Sequence, residues 1–216
     1  MEEEDEKAIY QAEREGESLW MILWENKIII IYILALSGYY AAYQMYNYLM
    51  PLDLARMHGD NAAVIFGSVA SVNCAVVVIF TPIITKMFPK MSEPVKTILA
   101  QVLLLAGFAI FLLFAGQIPF YYMAVIILTW GEIFGVLAES PYLTKRMPAS
   151  HRGRIDGLTI VVRAVVVCGF LMLIGFIYGI GEEKAAWITV LVIGGFFVLL
   201  MIILAVQDRK VYRNLY

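Results

Sequence analysis

Six stretches of this 216-residue sequence, spanning 28–50, 62–87, 95–115, 119–147, 155–180 and 185–206, are apolar over twenty residues or more. Runs of that length match the roughly 20 residues a helix needs to cross a ~30 Å hydrocarbon layer. Their apolar residues are continuous rather than spaced to give one wet face, so they are not surface helices of a soluble domain. The expected fold is all-α: a polytopic membrane protein built as a six-helix transmembrane bundle. The links between the runs are short, so sequence neighbours are expected to pack side by side.

Composition agrees. Hydrophobic residues make up 62% of the chain and charged residues 16%, with a mean hydropathy of +0.78. A soluble domain is nearer half apolar and a quarter charged. The organisation expected is an acidic cytoplasmic segment over 1–27, a transmembrane domain over 28–206 and a cytoplasmic tail over 207–216. The opening Met-Glu-Glu-Glu-Asp-Glu is acidic, whereas a signal peptide opens with a basic region. Leu19, Trp20, Leu23 and Trp24 stand at i and i+4 spacing. They suggest a helix over 14–24 at the membrane surface, with an acidic disordered tail as the alternative.

Lysine and arginine set the orientation. Thirteen fall on one side: Lys7, Arg14 and Lys27, then Lys86, Lys90 and Lys96, then Lys145, Arg146, Arg152 and Arg154, then Arg209, Lys210 and Arg213. Arg56 and Lys184 fall on the other, and Arg163 lies inside a span. The positive-inside bias places both termini in the cytoplasm of a cell-membrane protein. Cys74 and Cys168 lie in apolar runs and read as small buried side chains. There is no metal-ligand spacing, no phosphate-cradling glycine loop, no nucleophile beside a histidine base, and no basic patch of the size nucleic acid needs. No cofactor, nucleic-acid partner or enzymatic chemistry is implied.

The informative charges lie inside the spans. Glu139 is eight residues before Met147 and Arg163 eight after Ile155. At ~1.5 Å per residue both sit about 12 Å below the basic edge, on consecutive helices. Neither charge is stable alone at that depth, so a Glu139–Arg163 pair is expected, either a latch between two helices or a gate that breaks. Glu132 lies about 22 Å from the same edge. No basic residue in a span matches its depth, so it is expected to be neutral. It either carries protons between the two sides or is hydrogen-bonded within the bundle, to a tyrosine or Thr129. The first span carries Tyr39, Tyr40, Tyr43, Gln44, Tyr46 and Asn47, and the second adds Ser68, Ser71 and Asn73. Tyr39, Tyr43, Gln44 and Asn73 are candidate substrate contacts, with interhelical hydrogen bonding and an aromatic belt as the alternative. Gly131 with Gly135, and Gly175 with Gly179, have the spacing that permits close helix approach.

The run Gly131-Glu132, Pro141, Pro148, Arg152-Gly153 and Asp156-Gly157 resembles the tenth helix and following cytoplasmic loop of the major facilitator superfamily. The drug-efflux, proton-antiport branch is the most similar. The tyrosine-bearing first span resembles the seventh helix. The stretch from Pro82 through Lys86 to Lys90 resembles a weakened form of the family's basic loop motif. The resemblance covers essentially the whole chain and implies secondary transport of a small molecule. It implies a loop-motif role for Arg152, Gly153, Asp156 and Gly157. It also implies a departure: family members have twelve spans in two halves around a central cavity, and this chain matches only the second. The chain is then a fragment, a half that pairs with its own copy or another chain, or a remnant. Two readings stay open: a proton-coupled transport half, or a membrane scaffold in which these residues serve packing alone. Besides substrate and partner half, membrane lipid is the expected environment.

Overall fold

The computed structural model describes residues 18–147 and 149–212. Expectations for residues 1–17 and 213–216, including the acidic opening and Arg213, and for Pro148, lie outside the described residues. A short helix α1, Leu19–Glu25, leads into six long ones: α2 Lys27–His58, α3 Ala62–Met87, α4 Glu93–Leu113, α5 Ile118–Arg146, α6 Arg152–Gly179 and α7 Glu183–Val211. They contain 32, 26, 21, 29, 28 and 29 residues, each enough to span hydrocarbon.

Helical geometry is almost continuous from Lys27 to Met87, 61 residues in all. A straight helix of that length would be about 90 Å long, roughly double a whole bilayer. It is two spans, because Gly59 at φ 53° and ψ −125° ends α2 in a conformation that favours glycine. The expected end of the first span, Met50, falls eight residues short of His58. Pro51 sits inside α2 without ending it, as prolines in membrane helices can when neighbouring groups re-satisfy the freed carbonyl. At the other extreme α7 passes Val206 and runs to Val211.

Helix α1 begins at Ser18, whose hydroxyl accepts from the Met21 amide at 3.3 Å. Leu19, Trp20, Leu23 and Trp24 do not share one side. Leu23 is buried and Leu19 packs on the core, while Trp20 and Trp24 are exposed. The i, i+4 pairs Leu19/Leu23 and Trp20/Trp24 form adjacent stripes about 100° apart, one facing the bundle and one facing outward.

Two sets of three helices make the bundle. Helices α2, α6 and α7 pack on one another, and α5 packs on both α3 and α4. The sets meet through α4 on α7 and α2 on α3. The expectation that every sequence neighbour packs does not hold: α3 and α4 do not pack along their lengths, nor do α5 and α6. The reason lies in where small residues fall. A methyl group on Gly131 would lie 2.6 Å from the Ala100 carbonyl oxygen, so α4 and α5 touch backbone to backbone. Gly135 and Gly175 instead leave room for the hydroxyls of Tyr39 and Tyr48, both on α2, and Gly179 faces open space. Cys74 and Cys168 are exposed on α3 and α6, not buried. Both helices turn most of their surface away from the core, as apolar spans bordered by lipid or a partner can.

Candidate functional site

Polar residues of helices α2, α3, α5 and α6 meet in two clusters, at two depths along α5. In the first, the Arg163 guanidinium on α6 donates to Glu139 on α5. The Tyr40 hydroxyl on α2 donates to the other Glu139 oxygen at 2.6 Å. The guanidinium also lies 3.7 Å from the centre of the Tyr40 ring, within cation–π range. The side chains of Arg163 and Glu139 are 25% and 22% exposed, so the pair is shielded but reachable. The depth-matching expected from the sequence brings these two charges together although their helices do not pack.

Glu132 centres the second cluster, two turns along α5 and about 10 Å away. Asn73 on α3 donates to its carboxyl at 3.0 Å and to the Thr129 hydroxyl at 2.8 Å. Thr129 in turn donates to the Val125 carbonyl at 2.6 Å. Tyr43 on α2 lies beside the same carboxyl. No Lys or Arg forms an ion pair with Glu132 among the described residues. Tyr46, one turn on from Tyr43, has a buried hydroxyl with no hydrogen-bond partner, and so does the Nε of Arg163.

The other candidate contacts divide. Gln44 and Asn47 are exposed on α2, and Tyr43 and Asn73 are half-buried at the Glu132 cluster. Tyr39 is buried against Gly135, edge-on to Tyr40 at 5.2 Å, and packs α2 against α5. In the loop motif, Arg152 donates to the Thr144 carbonyl at 2.9 Å and so ties the start of α6 to the end of α5. Gly153, Asp156 and Gly157 are exposed.

Two further polar centres were not expected. At the basic end, Arg146 donates from Nε to Asp208 Oδ1 at 2.8 Å and from Nη2 to Oδ2 at 2.6 Å. Both side chains are 0% exposed. The Tyr142 hydroxyl donates to Asp208 at 2.9 Å, and the Tyr142 ring stacks on Tyr32 at 3.6 Å. Glu93 joins from α4, 2.6 Å from Lys145 and 3.8 Å from Arg146. At the opposite end, Asp53 on α2 accepts from Tyr178 on α6 at 3.0 Å and from Trp187 Nε1 on α7 at 2.5 Å. Arg56 lies 3.9 Å from Asp53 and 3.2 Å from Glu183. A signal for Asp208 was present: Met201, Leu204, Ala205 and Asp208 recur at i, i+3, i+4 and i+7, and all four are buried.

Long apolar helices carrying hydrogen-bonded charges between them define a polytopic helical membrane protein. The family model for the Major Facilitator Superfamily matches residues 2–170, and the chain belongs to that superfamily. No curated protein matches it. Members of the superfamily are transporters rather than enzymes, so membrane transport is the activity in general terms.

Proposed function

We propose that this chain is one half of a proton-coupled, efflux-type secondary transporter, acting on a small amphipathic molecule beside a second six-helix half. That half is its own copy or a separate chain, with the basic end of the bundle in the cytoplasm of the cell membrane. The observation that carries this reading is Glu132 itself, an intramembrane carboxyl that accepts from Asn73 and has no ion-pair partner among the described residues. An ionisable group placed so inside a span is where a proton relay would sit. The unpartnered Tyr46 hydroxyl and Arg163 Nε support ligand or water contact there, since buried polar groups are ordinarily satisfied. Tyr43, Asn73 and the exposed Gln44 are the proposed substrate contacts, and Glu139–Arg163 is the proposed gate. Tyr39 backs them as a packing residue. In this reading Arg152, Gly153, Asp156 and Gly157 shape the cytoplasmic loop.

The test is flux. The purified chain in vesicles is expected to move ethidium, used as an amphipathic probe, when a pH gradient is imposed. Glu132→Gln is expected to abolish the gradient-driven part with equal protein recovered in the vesicles. Undiminished gradient-driven flux in that variant would remove Glu132 from the coupling. A particle of 24.4 kDa in detergent, rather than twice that mass, would remove the self-paired form.

A further inference from the structure

The gap between α3 and α4 has a chemistry of its own. The two helices are joined by residues 88–92 but do not pack, and each leans on α5. Between them lies a cavity of about 400 Å³, open on one side and lined only by apolar and aromatic side chains. Phe80 against Trp130 at 5.6 Å and Phe88 against Phe134 at 5.5 Å form its floor across α3 and α5, and Leu99 and Leu103 form the α4 wall. From Phe88 to Phe80 the groove runs about 12 Å, most of one leaflet's half of the ~30 Å core. An acyl chain laid along these walls gains dispersion contacts with each of them.

Cations crown the groove. Lys96 stands three and seven residues before Leu99 and Leu103, on the same α4 stripe. Lys86 ends α3 and Lys90 lies in the link, both exposed. No carboxylate is within ion-pairing distance of Lys86, Lys90 or Lys96 among the described residues. From Pro89, the residue after Phe88, a second and polar basin of about 430 Å³ opens, lined by Lys90, Ser92, Lys145 and Arg209 with Glu93. A neutral lipid would satisfy the groove, and an anionic one would add charge complementarity to the three lysines.

We propose that the α3–α4 groove is a binding site for an anionic phospholipid, its acyl chain against Trp130 and its headgroup phosphate held by Lys86, Lys90 and Lys96. The site requires only that the chain spans a bilayer, and is independent of proton coupling at Glu132. Lysines near a membrane surface favour anionic over neutral lipid, and selectivity of at least about tenfold is expected.

Trp130 reports occupancy. The full chain is placed in phosphatidylcholine vesicles containing about 10 mol% of lipid with brominated acyl chains, bearing either a phosphatidylglycerol or a phosphatidylcholine headgroup. Subtracting the same measurement on Trp130→Phe isolates the groove signal from the other tryptophans. Tenfold selectivity fills about half the sites with the anionic lipid and about a tenth with the neutral one, so about fivefold greater quenching is expected. The variant Lys86→Gln/Lys90→Gln/Lys96→Gln is expected to reduce it to the neutral level. Equal quenching by both lipids would overturn the headgroup assignment. No quenching by either would mean that protein, such as a second copy of the chain, covers the groove, and would overturn the site. If the triple variant fails to insert, the two-lipid comparison on the unaltered chain decides alone.

Discussion

Asp208→Asn is the perturbation whose size the structure sets most directly. The carboxylate accepts three hydrogen bonds, two from Arg146 and one from Tyr142, and both charged side chains are fully enclosed. Asparagine keeps the shape and one acceptor oxygen but removes the negative charge. Arg146 is then a buried cation without its bidentate partner, and Glu93, 3.8 Å away, is already 2.6 Å from Lys145. Removing one partner of a buried ion pair costs roughly 3–5 kcal/mol. The retained acceptor and Glu93 place this case at the lower end, about 3 kcal/mol. For a chain of this length that corresponds to a fall in Tm of about 6–12 °C. The assay is loss of the monodisperse peak on heating the detergent-purified chain, with tryptophan fluorescence as a second probe. The double variant Arg146→Met/Asp208→Leu is expected to recover more than half the loss, because it leaves no uncompensated charge. An Asp208→Asn protein within 1 °C of the parent would refute the reasoning, since it would mean Arg146 is solvated or otherwise neutralised.

Two further outcomes follow from the same contacts. Gly131→Ala pushes a methyl group against the Ala100 carbonyl and is expected to destabilise by about 1–3 kcal/mol, read as a lowered unfolding temperature; no change would show that α4 and α5 yield freely. A double-mutant cycle with Glu139→Gln and Arg163→Gln is expected to give a coupling of about 0.5–3 kcal/mol in the same assay. A coupling of zero would mean that the two charges do not meet in the membrane.

The spans were legible because crossing hydrocarbon demands length and apolarity, which composition displays without any partner information. The Glu139–Arg163 pair was legible for a geometric reason: both residues can be counted from the same loop, so their depths match whatever the packing. Packing order was not legible. Whether α4 lies beside α3 or α5 depends on where a Gly131 lets backbones touch, which six similar apolar runs do not distinguish. Arg146 and Asp208 were missed for another reason. Both sit where apolar runs give way to charge, so a reading based on hydropathy assigns them to a loop and a tail. In the fold, α7 continues past Val206 and the helical stripe carries Asp208 inward. The Asp53 centre was hidden likewise, three residues beyond Met50, where the first apolar run was expected to end.

That Asp53 centre has a mechanical consequence. One carboxylate fastens α6 and α7 to α2 at the end away from the basic loops, so those three helices act there as a single plate. Helices α3, α4 and α5 send no hydrogen bond to Asp53 among the described residues, and Tyr121 on α5 reaches only Met57 Sδ on α2, at 3.5 Å. At the basic end the stitching crosses between the two sets, since Arg146 on α5 holds Asp208 on α7. The two sets are therefore tied by different chemistry at their two ends: a buried ion pair at the basic end, and at the other the aromatic packing of Trp187 on Phe108 and Phe111 of α4.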